Sequence, residues 1–153
     1  MKKLESGRSM VEMLGVLAII GVLSVGGIAG YTLSMRRHRA NGVADTAAKL
    51  ALVAYSACQN EILNSGSDNA DASVCSSATK SMTPATAGLG GTPNGVTEMK
   101  VTGITAGGTA NADKVTIDVT FNDDKLCNAF GSIVGGTNTC SSDNKVSFSI
   151  TQN

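Results

Sequence analysis

Residues 6–35 read SGRSMVEMLGVLAIIGVLSVGGIAGYTLSM, and this stretch decides what the rest of the chain has to be. From Met13 to Met35, 23 residues, no side chain ionises except Tyr31. As a helix rising 1.5 Å per residue it would be about 35 Å long, enough to cross the hydrocarbon core of a bilayer. Glu12 stands at its mouth. A carboxylate buried there costs roughly 2.5–3.5 kcal/mol, so a chain that keeps one is expected to meet it with a cation.

The flanks narrow the reading. A secretory signal has an apolar core of roughly 7–15 residues and then small residues at a cleavage site. This run is longer and is followed by Arg36, Arg37, His38 and Arg39, which argues against cleavage on its far side. Lys2, Lys3 and Arg8 precede it, so basic residues balance across the segment and the positive-inside rule does not orient it. The arginines read as a solvated face or as partners for a neighbouring subunit, and the lone His38 makes no case for a metal or a general base.

Orientation comes from the cysteines. Cys58, Cys75, Cys127 and Cys140 all follow the apolar run, and no pair has CxxC spacing. Four cysteines allow three connectivities. Cys58–Cys75 and Cys127–Cys140 are favoured because each closes a short loop, worth roughly 3 kcal/mol. Two disulfides place the C-terminal part outside the cytoplasm. With three Phe, two Tyr and no Trp, its core must be small aliphatic and would benefit from such staples. Zero formal charge gives no case for nucleic acid.

Helical periodicity continues past Met35. Val43, Ala47, Leu50, Ala54, Cys58 and Ile62 recur every three or four residues and form one apolar face. Asn41-Gly42 is a place where the helix can bend. Gly15, Gly21, Gly26, Gly27 and Gly30 punctuate the apolar half, and Gly26 with Gly30 makes a GxxxG suited to close helix approach. Residues 64–95, rich in small and polar residues with Pro84 and Pro93, read as a long irregular connection. Three alternating segments then predict strands around Met99–Val101, Val115–Phe121 and Val146–Ile150. Ala106 to Thr109 would turn between the first two, and the Cys127–Cys140 loop would join the last two. Their buried face needs a partner, and the helix face from Val43 to Ile62 is the long apolar one available. The expected class is α+β: a long helix, half apolar and half amphipathic, on a small antiparallel sheet with two disulfides.

Lys2-Lys3, Gly7, Glu12 five residues beyond it and about twenty apolar residues together resemble the class III leader of type IV pilins and pseudopilins. The resemblance covers residues 1 to about 60. It implies a leader over 1–7, an apolar membrane and filament-core half over 8–35, an amphipathic half over 36–63 and a globular head over 64–153. It also implies that a prepilin peptidase cuts between Gly7 and Arg8 and methylates the new amine. Glu12 would then pair with the Arg8 amine of a neighbouring copy during assembly. Arg8 departs from the Phe or Met usual at that position. The implied partners are further copies of the chain, the peptidase, the assembly platform and the inner membrane that holds the precursor. The implied destination is a surface pilus or a periplasmic pseudopilus. The disulfide loop near the C-terminus resembles the pilin D-region.

A type II secretion pseudopilin is the first alternative, and an uncleaved single-pass anchored binding domain is the second. Asp123-Asp124 and Asp143-Asn144 offer oxygens, but their spacing matches no calcium loop; no metal and no cofactor is assigned. No nucleophile–base constellation or phosphate-cradling loop points to an enzyme.

Overall fold

The computed structural model describes residues 6–66, 75–105, 113–135 and 140–152. The elements are α1 (Ser6–Asn64), α2 (Ser77–Lys80), β1 (Val96–Thr105), β2 (Asp113–Phe121), α3 (Asp124–Val134) and β3 (Lys145–Gln152). They fall into two compact units that divide between Met35 and Arg36.

In the unit beginning at Arg36, three strands form an antiparallel sheet of order β1-β2-β3. Val115, Ile117 and Val119 of the central strand face Ile150, Phe148 and Val146 on β3. On the other side they face Ile104, Val101 and Met99 on β1. This layer packs with Ala40, Val43, Ala47, Leu50, Ala51, Ala54 and Cys58 of α1, all fully buried. The helix face read from sequence is therefore the face that covers the sheet, with Ile62 half-buried at its end. Burying each Val, Leu, Ile or Met here stabilises the fold by about 1.5–3 kcal/mol. Four of these seven positions are alanine, so the helix side of the core is built from small side chains. Helix hydrogen bonding runs through Asn41-Gly42 without a break. The end of α1 is set by Gly66, whose φ of 65° suits a residue without Cβ, while the Ser65 N–H returns to the Glu61 and Ile62 carbonyls.

Two features depart from the sequence reading. The segment joining β2 to β3 is not all loop, because its first part is the 11-residue helix α3. Asp123 caps it by accepting from the Lys125 N–H at 3.2 Å, and Leu126, Cys127 and Phe130 are its buried face. Phe130 sits between Phe121 and Phe148, with ring centroids 5.2 and 5.4 Å away. These are all the phenylalanines in the chain. The strand β1 is also longer than its alternation shows, since register shifts between Val96 and Glu98 and between Val101 and Gly103 break the period of two.

The connection before the sheet is irregular but packed. Pro84 is buried, Met82 and Leu89 lie against the core, and the Val101 N–H donates to the Met82 carbonyl at 2.9 Å. Gly95, at φ 92°, closes a turn in which the Val96 N–H donates to the Pro93 carbonyl. A methyl at Gly95 would collide with the Leu126 side chain. The Ala106–Thr109 turn expected between β1 and β2 lies outside the described residues.

Candidate functional site

The candidate site is the first half of α1, in the unit that ends at Met35. From Met10 to Leu33 its large apolar side chains are 51–75% exposed. The helix is long and apolar enough to cross a membrane, and none of its most apolar stretch is buried in the chain's own fold. That much of the membrane expectation is established. Glu12 lies on this helix and is exposed. Gly7 and Arg8 lie in its first turns, with side chains outside the described ones.

Gly15, Gly21, Gly26, Gly27 and Gly30 would each accept a Cβ without meeting any atom within 4 Å. Packing within this chain thus gives no reason for glycine at these places. Around Gly21, the small side chains leave a shallow apolar hollow lined by Ala18, Gly21, Val22 and Val25. Ser24 and Thr32 return their hydroxyls to the Ile20 and Ala29 carbonyls, so neither presents an unmet donor to an apolar environment.

In the head, the disulfides join Cys58 to Cys75 and Cys127 to Cys140, with Cα separations of 5.1 and 5.6 Å. Both pairings are those favoured from loop length. Beside the first lies a contact not read from sequence. Glu61, one turn beyond Cys58, accepts from the Ser76 N–H, from the Ser76 hydroxyl at 2.9 Å and from the Thr79 hydroxyl at 2.8 Å. The Ser76 N–H, then the Thr79 and Ser76 hydroxyls, hold the Glu61 carboxyl below its usual range. Disulfide and carboxylate therefore tether α2 to α1 side by side. The available signal was the helical spacing of Cys58 and Glu61 together with Ser76 and Thr79 next to Cys75.

The wet face of the sheet is polar. Lys145 on β3 pairs with Asp118 on β2 at 2.6 Å, and the Thr116 and Ser149 hydroxyls meet at 3.1 Å. Burial pushes the Asp118 carboxyl up, but hydrogen bonds from Lys145, Ser147 and Thr102 outweigh it and hold the group low. The same pair pushes the Lys145 ammonium up.

Arg37, His38 and Arg39 are exposed and Arg36 is half-buried. Arg36 adds its field to the Lys125 N–H in keeping the Asp123 carboxyl low. Asp123 thus serves as a helix cap, and Asp143-Asn144 lies in a turn where the Asn144 N–H donates to the Ser141 carbonyl. Among the described residues, no three His, Cys, Asp or Glu side chains are grouped as ligands of one metal.

Compared with known proteins, the chain matches no family model, no curated protein and no solved structure.

Proposed function

We propose that this chain is the structural subunit of a type IV pilus-like filament. The observation that carries the reading is the contrast within α1: an amphipathic half buried under a disulfide-closed head, and an apolar half whose large side chains are all exposed. Such a half needs lipid or other helices around it. In the proposed cycle the inner membrane holds it first, with the head outside. The leader motif Lys2-Lys3, Gly7 and Glu12 then supplies the entry to assembly. Prepilin peptidase cuts after Gly7, methylates the Arg8 amine and releases the subunit to the assembly platform. The helix exchanges lipid for neighbouring helices, which changes little hydrophobic energy because both surroundings are apolar. The pairing of Glu12 with the Arg8 amine of another copy would then select the axial position, and the open flanks of Gly26 and Gly30 would permit close packing.

The test is the intact mass of protein recovered from its own membrane or filament fraction, with and without reductant. Loss of Met1 to Gly7, one added methyl and a gain of four protons on reduction are expected. Gly7→Ala should leave the chain full length and unassembled. A full-length mass for the unmodified sequence would turn the reading to an anchored extracytoplasmic domain.

A further inference from the structure

We propose that Arg37 and Arg39 form a cationic collar that binds the phosphates of anionic lipids on the translocated face of the membrane. This rests on the membrane-spanning reading of Met13–Met35. A helix of that length matches the hydrocarbon thickness to within a few residues, so residues directly after Met35 fall at the level of the headgroups. Four consecutive helical positions, 36 to 39, point all around the axis, because each residue turns by about 100°. Arg37 and Arg39 therefore present their charges in different directions, as a collar does. Guanidinium groups suit phosphate oxygens because their donors are arranged in a fixed fork.

Among the described residues, the head's own charges do not claim these two arginines. Asp45 pairs with Lys49 at 2.7 Å, Glu98 with Lys100 at 2.9 Å and Asp118 with Lys145 at 2.6 Å. Asp123 receives the field of Arg36. Among the described residues, no carboxylate lies in ion-pair contact with Arg37 or Arg39, and both are exposed. Basic residues on the translocated side oppose the usual distribution. A ligand on that side gives them a use, because an anionic surface attracts each nearby arginine.

The experiment uses the full-length chain in nanodiscs of equal parts phosphatidylcholine and phosphatidylglycerol, and counts the lipids retained by native mass spectrometry. The unmodified chain should retain phosphatidylglycerol over phosphatidylcholine by roughly 10- to 30-fold. The preference should fall as salt rises. Arg37→Gln with Arg39→Gln should lower it to the level that Lys2, Lys3 and Arg8 on the other flank sustain, the two Arg→Lys changes should keep most of it, and Lys114→Gln on the head should not alter it. Equal retention by the unmodified and double-Gln chains would overturn the collar. So would a loss of preference in Lys114→Gln, which would mean net charge alone is at work. Unchanged lipid retention with loss of chain–chain association in the double-Gln variant would assign the arginines to a carboxylate on another copy. Removal of the unmodified chain from the discs by alkaline wash would instead sink the spanning reading beneath it.

Discussion

The two halves of α1 use the same apolar residue types and meet opposite surroundings. Leu50, Val43 and four alanines of the second half are fully buried, in one core with the apolar face of the sheet. Leu17, Val22 and Ile28 of the first half are 61%, 75% and 68% exposed, and no contact among the described residues explains them. The lesson is that one sequence pattern can be complete within a chain while its neighbour is complete only with something outside. A substitution should therefore destabilise the fold in one half and alter only membrane retention or assembly in the other.

The largest effect belongs to the aromatic cluster of the head. Phe130→Ala removes the ring held between Phe121 and Phe148 and should cost about 3–5 kcal/mol of stability, read from urea unfolding of the full chain in detergent. A loss under about 1 kcal/mol would mean that α3 is not part of the core. The paired test is Leu50→Ala against Leu17→Ala. The first should cost about 2–5 kcal/mol. The second should change head stability by no more than about 0.5 kcal/mol, as an exposed substitution does. Equal losses would erase the distinction between the halves. Next comes the Cys58–Cys75 bridge. Replacing both residues with alanine should cost about 3 kcal/mol. Hydrogen exchange should then rise first in α2, whose tie to α1 would rest on the Glu61 hydrogen bonds. A uniform rise across the sheet would show that the bridge supports the whole head instead.

How much of this could be read from the sequence depends on which interactions are periodic. The buried face of α1 follows a strict helical repeat, and Val43, Ala47, Leu50, Ala54 and Cys58 were all recoverable from it. The strand β2 alternates cleanly and was equally plain. In β1, two register shifts place Val96 and Ile104 on the buried side out of phase with Met99 and Val101, so only the middle of the strand was visible. The helix α3 was hidden by a competing signal. Two cysteines 13 residues apart read as a closed loop, while Gly131, Ile133 and Val134 lower the local helix preference. The repeat of Leu126, Cys127 and Phe130 behind the capping Asp123 is the trace that it leaves in the sequence. Glu61 shares the helical spacing of Cys58, but that spacing names no partner, because Ser76 and Thr79 lie 15 and 18 residues further along the chain.

The smallest effect, and the most selective, is the response to acid. Glu61, Asp118 and Asp123 are held below the ordinary carboxylate range, and all belong to the unit that begins at Arg36. A carboxyl whose folded value lies below its unfolded one stabilises the fold above the unfolded value, about 4. That contribution is lost as pH falls through the folded value. Lys145, raised by Asp118, acts at the other end: its contribution is present below about 10.4 and is lost as pH rises through the folded value. Stability should therefore be flat between these limits and fall on both sides. Glu61→Gln should flatten part of the acid limb and leave the alkaline one unchanged, whereas Asp118→Asn should flatten both. Leu17→Ala should leave both limbs as they are, because the three carboxyls and the lysine belong to the unit that begins at Arg36. An acid limb that moved with Leu17→Ala would mean that the first half of α1 contributes to head stability, and the contrast between the two halves would fail.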